Sequence, residues 1–178
     1  MEILYRKASV ADAQDVHDIY QYYVDHTAVT FRTVNLNVVE YAEKIGHTAY
    51  PFLIAEAEGR AVGFAYAERL RPHDAYLWDV ELTIYLHPDA PKRTGMGSRL
   101  YENLLKILAE QGFRNAYGVI TGSNQSSIEF HERFGFVKVA CFPKMGYKHG
   151  AWHDVVWMNK TLGDFEGKPE IPEPFRKA

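Results

Sequence analysis

The sequence ELTIYLHP at residues 81–88, followed by KRTGMGS at residues 92–98, is the pattern around which the rest of the chain is arranged. The apolar run of the first segment predicts a buried strand with Glu81 at its head. In the second segment, Gly95 and Gly97 let backbone N–H groups approach an anion closely. The helix predicted to follow adds the partial positive charge of its N-terminus. This unit therefore predicts a site for a phosphate-bearing cofactor, with Glu81 placed to exchange protons beside it.

A pair of glycines is by itself weak evidence for phosphate binding. The segment lacks the Gly-Lys-Ser/Thr ending of a Walker loop. It also lacks the third glycine of a dinucleotide fingerprint, because Leu100 stands where that glycine is expected, and an antiparallel hairpin precedes the strand. A simple strand-to-helix turn is the alternative interpretation.

The composition is that of an ordinary globular protein. The 178 residues fit one domain with a substantial core, since 47% of them are hydrophobic and 24% are charged. The net charge of −3 gives no strong attraction to nucleic acid or to an anionic membrane. Cys141 is the single cysteine and cannot form an internal disulfide. Residues 1–10 are of mixed polarity and no 18-residue apolar run occurs, so we expect no signal peptide and no membrane span. We therefore expect a cytoplasmic protein with no nucleic-acid or membrane partner.

The order of elements predicts a mixed α/β fold. Hydrophobic periodicity and turn residues predict a strand, two helices, three strands, a helix, a strand, a helix and two strands. Ser9, Asn37 and Asn124 are the predicted helix N-caps. The fold class is thus α/β (α+β), with a mixed central sheet of about seven strands flanked by about four helices and one parallel crossover after Leu86.

The predicted boundaries place the central strand at residues 76–86 and the helix after the glycine loop at about residues 98–111. An aromatic, basic loop is expected at residues 145–154, between the last two strands. We expect one domain over residues 1–162. An extended or mobile tail is expected over residues 163–178, where proline is frequent and apolar residues are few.

The glycine loop and a later segment together resemble the GCN5-related N-acetyltransferase (GNAT) superfamily. The loop reads RTGMGS at residues 93–98, and the later segment reads NQSSIEFHERFGF at residues 124–136. In that superfamily the glycine loop binds the pyrophosphate of acetyl-CoA, the preceding strand hydrogen-bonds the pantetheine arm, and the asparagine-led helix flanks the thiol end. Family loops usually begin with Gln or Arg where this chain has Lys92. The resemblance implies acetyl-CoA contacts from Ile84, Tyr85, Leu86, Arg93, Thr94, Gly95, Met96, Gly97, Ser98, Asn124 and Ser127.

Four segments are similar to the phosphinothricin acetyltransferase branch of that superfamily. They read TFRT at residues 30–33, RPHDAY at 71–76, ELTIY at 81–85 and YKHGAWHDV at 147–155. The similarity implies transfer of acetyl to the α-amine of a small amino-acid-like substrate, such as phosphinothricin, methionine sulfoximine or methionine sulfone. For such substrates it also implies a role in herbicide or antibiotic resistance. The branch is generally dimeric, so we expect a homodimer.

The chemistry implied by this resemblance needs a base, because an acceptor amine is mostly protonated at neutral pH. Glu81 matches the carboxylate that this branch uses, and burial beside Tyr76, Trp78 and Tyr85 is expected to raise its pKa. A structural salt bridge is the alternative role. His131 stands where many superfamily members have a tyrosine and is a candidate proton donor to the CoA thiolate, with packing as the alternative. A backbone amide between Thr83 and Leu86 is the candidate donor to the acetyl oxyanion.

The predicted substrate contacts lie on the loop before the central strand and around it. Arg71 and His73 are candidates to clamp an anionic group of the substrate. Phe31, Tyr76 and Thr83 are expected to contact it as well. A solvated basic loop is the alternative interpretation of the two cationic residues.

His149, His153 and Asp154 suggest a zinc site by composition, but the segment is predicted to be a turn, so we expect no metal. Two other functions stay open. One is a GNAT enzyme acting on a protein N-terminus, a polyamine or an aminoglycoside, against which the basic loop argues. The other is a CoA-binding module without turnover, against which Glu81 argues.

Overall fold

Seven strands and four helices form the part of the chain that the structure describes, in a computed structural model covering residues 2–47, 49–91 and 94–175. In chain order they are β1 (Leu4–Lys7), α1 (Ala13–His26), α2 (Val38–Gly46), β2 (Phe52–Ala57), β3 (Arg60–Arg69), β4 (Asp79–Leu86), α3 (Met96–Gln111), β5 (Asn115–Thr121), α4 (Gln125–Arg133), β6 (Val137–Lys148) and β7 (Ala151–Thr161). Short 3-10 turns at Val10–Asp12 and Asp74–Tyr76 precede α1 and β4. The predicted α/β class, with its numbers of strands and helices, is confirmed.

One mixed sheet contains all the described strands, in the order β1-β2-β3-β4-β5-β7-β6. Neighbouring strands pair antiparallel except β4 and β5, which are parallel and joined by the crossover through α3. The parallel ladder ends where Glu81 faces Tyr117. Beyond that pair, β4 continues to Leu86 and β5 to Thr121, so the two strands separate and open a gap in the middle of the sheet.

The helices bury the two faces of the sheet in separate layers. The apolar stripe of α3 packs against one face, at the helical spacing of four residues, through the fully buried Leu100, Leu104 and Leu108. Helices α1 and α2 cover the opposite face. Successive residues of β3 serve both layers, because Phe64 packs on the α1–α2 side and Ala65 on the α3 side. Among the described helices, none has the length and hydropathy needed to cross a membrane.

Three predicted helix starts are confirmed by capping interactions. The Ser9 N–H donates to the Asp12 carboxylate at 2.7 Å ahead of α1. The Asn37 side-chain oxygen accepts from the Glu40 N–H at 3.0 Å in α2, and Asn124 caps α4 in the same way. Such caps satisfy N–H groups that lack partners in the first helical turn, so each helix begins where a side-chain oxygen is available.

The prediction of a loop at residues 145–154 is wrong, because the last two strands continue through it as a long hairpin. The turn is His149-Gly150, and both residues have positive φ, 49° and 76°, as two-residue hairpin turns require. Tyr147 lies opposite Trp152, and their ring centroids are 5.3 Å apart. Aromatic cross-strand pairs stabilise antiparallel strands, so the aromatic content that suggested a surface loop in fact belongs to the strands.

Two predicted boundaries around the central strand also change. Strand β4 begins at Asp79, and Tyr76 lies in the 3-10 turn before it. Helix α3 begins at Met96, earlier than predicted, because Gly95, with a φ of 76°, is its N-cap. Glycine adopts this left-handed backbone without the steric cost that a side chain would add. The glycine loop therefore leads directly into the first turn of α3.

Residues 162–175, the described part of the chain after β7, run without helix or strand across the body of the domain. The Trp78 indole N–H donates to the Glu170 carbonyl at 2.7 Å. The Gln111 side-chain amide donates to the Glu173 carbonyl at 2.6 Å, and the Glu173 N–H donates back to the Gln111 carbonyl at 2.8 Å. These contacts attach the described part of the predicted tail to the domain.

Candidate active site

The gap between β4 and β5 opens into a cavity of about 470 Å³. The predicted site residues that line it are Phe31, Glu81, Thr83, Ile84, Tyr85, Asn124, Ser127 and His131. Further lining residues, which are not among the predicted site residues, include Tyr20, Thr30, Arg32, Tyr66 and Glu68. These reach the cavity from α1, from the loop after it and from β3. Their common location is therefore a consequence of strand register and helix packing.

The backbone of β4 directs hydrogen-bonding groups into this gap. The His87 N–H donates to the Val62 carbonyl at 2.8 Å, and the Leu70 N–H donates to the Asp79 carbonyl at 3.4 Å. Because antiparallel bonding alternates along a strand, the odd-numbered residues of β4 pair with β3 and the even-numbered ones face β5. Ile84 lies beyond the last pair of the β4–β5 ladder, so its N–H and C=O face the gap. An N–H in this position suits a donor to an oxyanion.

Glu81 stands where the two strands separate, with a half-buried side chain. Burial raises the pKa of its carboxyl above the ordinary 4.5, and the negative charge of Glu68 raises it further. Lys44 and Arg71 act on the Glu81 pKa in the opposite direction. Tyr76, expected to help bury Glu81, is instead 42% exposed. A carboxylate with a raised pKa is a stronger base, which suits the abstraction of a proton from an ammonium group.

His131 is buried in α4, and its ring packs against Tyr101 and Phe136 with centroid distances of 5.3 Å and 5.1 Å. Its Nδ1 donates to the Ser127 carbonyl at 2.8 Å, which places the single proton of a neutral imidazole on that nitrogen. Burial lowers the pKa of His131, and the bond to Ser127 offsets part of this decrease. The imidazole is therefore neutral at pH 7. Its Nε2, which lies against Gly118, is then a proton acceptor.

Buried phenols form the wall of the cavity on the α1 side. The Tyr20 hydroxyl and the Thr30 hydroxyl are 2.6 Å apart, and the rings of Tyr20 and Tyr85 pack edge to face at 4.9 Å. Burial raises the pKa of Tyr66 and of Tyr85 well above the ordinary value. These hydroxyls therefore stay protonated and supply neutral hydrogen-bond donors at the cavity wall.

The first turn of α3 packs against the end of β4. A Cβ atom on Gly97 would lie 3.4 Å from Leu86 Cδ1, an ordinary van der Waals contact, so the start of the helix lies directly beside the strand. The Arg99 N–H bonds back to the Gly95 carbonyl at 2.9 Å. The N–H groups before it point out of the helix end, where they can bind an anion; they belong to Met96, Gly97 and Ser98.

The rest of the predicted phosphate loop is described in part. The Thr94 hydroxyl donates to the Pro91 carbonyl at 3.2 Å, just before α3 begins. Lys92 and Arg93, the latter a predicted cofactor contact, lie outside the described residues. The residues present fit a phosphate-bearing cofactor, because a helix N-terminus with outward N–H groups stands beside a strand whose backbone faces a gap.

The three predicted substrate contacts before β4 do not line the cavity of the single chain. Arg71, His73 and Tyr76 are all exposed. The Arg71 guanidinium lies 5.5 Å from the centroid of the Trp157 ring. The charge of Arg71 nevertheless reaches Glu81, whose pKa it lowers. A direct clamp on a substrate in this cavity is therefore not formed by these side chains within one chain.

The loop that carries Thr30 and Phe31 is held by side chains from β5 and from the β6–β7 hairpin. The Thr121 hydroxyl donates to the Ala28 carbonyl at 2.6 Å, and the buried Lys148 ammonium donates to the Thr30 carbonyl at 2.9 Å. A Cβ atom on Gly146 would lie 2.5 Å from the Phe31 ring, so this ring lies directly on the hairpin backbone. The hairpin thus positions one wall of the cavity.

Lys148→Met tests this support. The methionine keeps an apolar stem of similar length but leaves the Thr30 carbonyl without its donor. We expect a loss of about 1–2 kcal/mol and a decrease of about 3–6 °C in Tm, measured by thermal unfolding. Lys138→Met, which removes an exposed lysine of the same strand, is the control and should change Tm by less than about 1 °C. Equal Tm values for Lys148→Met and the wild type would contradict the assignment.

The two histidines that suggested a zinc site make hydrogen bonds to backbone carbonyls. His149 Nε2 lies 3.1 Å from the Thr27 carbonyl, and His153 Nε2 lies 3.1 Å from the Lys148 carbonyl. Among the residues that the structure describes, no three His, Cys, Asp or Glu side chains are arranged to hold a metal ion. Both histidines therefore have a structural role in the hairpin and in the loop that it supports.

Comparison with known proteins agrees with this geometry. Residues 6–157 match the family model described as "Acetyltransferase (GNAT) domain". The chain is 38% identical over 173 residues to a phosphinothricin N-acetyltransferase of Streptomyces viridochromogenes, covering 96% of this chain and 92% of that one. It is 32% identical over 162 residues to the L-methionine sulfoximine/L-methionine sulfone acetyltransferase of Salmonella typhimurium, covering 89% and 94%.

A solved structure shows the same architecture. The GNAT superfamily phosphinothricin acetyltransferase of Sinorhizobium meliloti, solved in complex with acetyl-CoA, superposes with a TM-score of 0.89 at 32% identity. That alignment covers 96% of this chain and 94% of the other. The predicted resemblance is confirmed, and so is the expectation of an acetyl-transferring enzyme. The chain belongs to the GNAT superfamily of acetyltransferases, in the phosphinothricin N-acetyltransferase-like branch.

Proposed function

We propose that this protein transfers an acetyl group from acetyl-CoA to the α-amine of a small amino-acid-like substrate. The observation that carries the proposal is the position of Glu81, a half-buried carboxylate with a raised pKa at the point where β4 and β5 separate. Two relatives act by name on phosphinothricin and on methionine sulfoximine or methionine sulfone, and a third is solved with acetyl-CoA. These names supply the substrate class and the acetyl donor of the proposal.

Bound acetyl-CoA would supply the acetyl thioester, and the residues of this chain would hold it along the gap. The N–H groups of Met96, Gly97 and Ser98 suit the pyrophosphate. The Ile84 backbone suits the pantetheine amide and the acetyl oxygen. The further predicted contacts, which remain proposals, are Tyr85, Leu86, Arg93, Thr94, Gly95, Asn124 and Ser127.

The acceptor reaches the cavity as an ammonium ion, and Glu81 acts as the general base. Its carboxylate takes one N–H proton and becomes a neutral carboxylic acid, and the nitrogen becomes a neutral amine that can attack the thioester. After the attack the nitrogen carries one more proton than the amide product. His131, neutral with an open Nε2, accepts this proton and passes it to the leaving sulfur, which departs as the CoA thiol. Glu81 then releases its proton to solvent and returns to the carboxylate.

The substrate contacts of the proposal come from the cavity wall and from the segment before β4. Phe31 and Thr83 line the cavity. Arg71, His73 and Tyr76 are exposed in the single chain, so their predicted contact with substrate needs a further surface. The predicted homodimer would provide one, and the exposed apolar side chains of β6 and β7 suit a subunit contact; they are Val137, Val139, Phe142, Met145, Tyr147 and Trp152.

The pH dependence follows from the raised pKa of Glu81. As a base it must be ionised, so kcat/KM for the amine is expected to increase with pH, with a midpoint above 4.5 that reports the free enzyme. His131 has a lowered pKa, so it adds no second limb near the ordinary histidine value. Steady-state rates of the wild type and of Glu81→Gln, measured from pH 4.5 to 8, test this pH dependence of kcat/KM. An identical acid limb in that variant would contradict the assignment.

A thiol-release assay with acetyl-CoA tests the proposed function. The acceptor panel contains methionine sulfone, methionine sulfoximine, phosphinothricin and ordinary L-amino acids, against spermidine, kanamycin and a peptide with a free N-terminus. The proposal predicts turnover with amino-acid analogues and at most slow turnover with the polycations and the peptide. Preference for a polyamine or a peptide would support the alternative acceptor class. Binding of acetyl-CoA without turnover on any acceptor would support a non-catalytic module.

A further inference from the structure

A second carboxylate faces Glu81 across the sheet. Glu68 in β3 lies directly opposite Glu81 in the antiparallel β3–β4 pair, so both side chains project from the same face. Both line the cavity. Like charges directly opposite each other destabilise an antiparallel pair. The facing acids therefore cost folding free energy that other contacts must offset, and their place in the cavity points to a role in the site.

Lys44 holds the Glu68 carboxylate in place from outside the sheet. Its ammonium donates to Glu68 Oε2 at 2.7 Å and lies 3.9 Å from the centroid of the Tyr66 ring. Lys44 lies in the last turn of α2, where the helix dipole favours a cation. One carboxylate oxygen of Glu68 is thus anchored, while the side chain as a whole still lines the cavity beside Glu81.

We propose that Glu68, anchored by Lys44, is a substrate-positioning residue that holds the ammonium group of the acceptor against Glu81. This inference rests on the proposed function of the site. Before proton transfer, one ammonium ion lies between two carboxylates and offsets their repulsion. Glu81 then takes one N–H proton and becomes a neutral acid, the ammonium becomes a neutral amine, and Glu68 keeps its charge throughout. The pair thus favours acceptors that arrive as compact ammonium ions.

The charged groups around Glu81 change its pKa in ways that an experiment can separate. The charged or titratable groups that face it or share its cavity include Glu68 and Tyr66 on β3, Lys44 on α2, Arg71 before β4, Arg32 on the loop after α1 and Tyr117 on β5. Among these, Glu68 raises the pKa of Glu81, whereas Lys44 and Arg71 lower it. Removing Glu68 and removing Lys44 must therefore change this pKa in opposite directions.

The experiment compares Glu68→Gln, Lys44→Met and the control Glu43→Gln, which deletes an exposed carboxylate next to Lys44 on α2. The pKa of Glu81 is measured by ¹³C NMR titration of the substrate-free protein. Steady-state kinetics with methionine sulfone at saturating acetyl-CoA give KM and kcat. Glu68→Gln should lower the Glu81 pKa by about half a unit and raise KM for the amine about threefold to tenfold, with a smaller change in kcat. Lys44→Met should raise the Glu81 pKa, and Glu43→Gln should leave both quantities unchanged.

A merely structural role for the ion pair predicts a different pattern. In that case both variants would raise KM for acetyl-CoA as much as KM for the amine, and that result would overturn the inference. An unchanged Glu81 pKa together with an unchanged KM for the amine in Glu68→Gln would also overturn the inference. That result would leave the proposed function intact. A wild-type protein that acetylates no amino acid or analogue would overturn both.

Discussion

Glu81→Gln is expected to lower kcat for acetyl transfer by about 10²- to 10⁴-fold, the usual contribution of a general base. Glutamine keeps the size of the side chain and its place at the head of β4, but it cannot accept the ammonium proton. The gap and the α3 N-terminus, which hold the acetyl donor in our account, are unchanged. The affinity for acetyl-CoA, measured by isothermal calorimetry, should therefore stay within about twofold of the wild type.

The stability of this variant separates lost chemistry from lost structure. Burial raises the folded-state pKa of Glu81 above its unfolded value, so the ionised carboxylate destabilises the folded protein. This penalty is absent below the unfolded pKa and complete above the folded pKa, and it is therefore present at pH 7. Glutamine removes it, so Tm at pH 7 should be equal to or above that of the wild type. The control is Glu102→Gln, which changes an exposed residue of α3. If kcat of Glu81→Gln were within threefold of kcat of this control, Glu81 would not be the general base.

Gly118→Val is expected to have the largest effect on stability. A Cβ atom at Gly118 would lie 2.8 Å from Nε2 and Cδ2 of His131, closer than real side-chain contacts allow. His131 is 4% exposed and aromatic rings pack against its imidazole, so the imidazole has little room to move away from a new side chain. We expect a loss of about 3 kcal/mol or more, seen as a decrease in Tm of about 6–12 °C, together with reduced turnover.

Two further variants make this prediction specific. Gly46→Val at the end of α2 adds the same side chain where no atom lies within 4 Å of the new Cβ, and it should change stability by less than about 1 kcal/mol. Adding His131→Ala to Gly118→Val removes the clashing ring, so part of the lost stability should return, although a buried ring is also lost. Additive losses in the double variant would show that Gly118 and His131 do not contact each other as described.

Much of the fold was predictable because its signals are local. The helix starts at Ser9, Asn37 and Asn124 depend on side chains within three residues of the cap, and such patterns are read directly from sequence. The last two strands were predicted, but their continuation through residues 145–154 was not, because the aromatic and basic residues of that segment suggested a surface loop. Pairing with β7, which tertiary structure decides, makes the segment extended.

Residue patterns alone predicted the site only where one segment carries it, and the family resemblance added Phe31, Asn124, Ser127 and His131. Glu81 and Gly97 belong to one strand–turn–helix unit, so a single stretch of sequence points to both. Glu68, Lys44 and Arg32 come from different elements, and their approach to the cavity depends on strand register and helix packing. A charge on a strand is ordinarily solvated, and nothing in the sequence near Glu68 distinguishes it from such a charge.

In the proposed reaction, the Glu81 carboxylate at the β4–β5 gap deprotonates the α-amine of a small amino acid, and this amine is then acetylated. The most direct measurement incubates the protein with [1-¹³C]acetyl-CoA and L-methionine sulfone and identifies the product by mass spectrometry and NMR, for the wild type and for Glu81→Gln. We expect N-acetyl-methionine sulfone, with the ¹³C label in the carbonyl group bonded to the α-nitrogen, at a rate at least about 100-fold higher for the wild type. No labelled product from the wild type, or equal rates from both proteins, would contradict it.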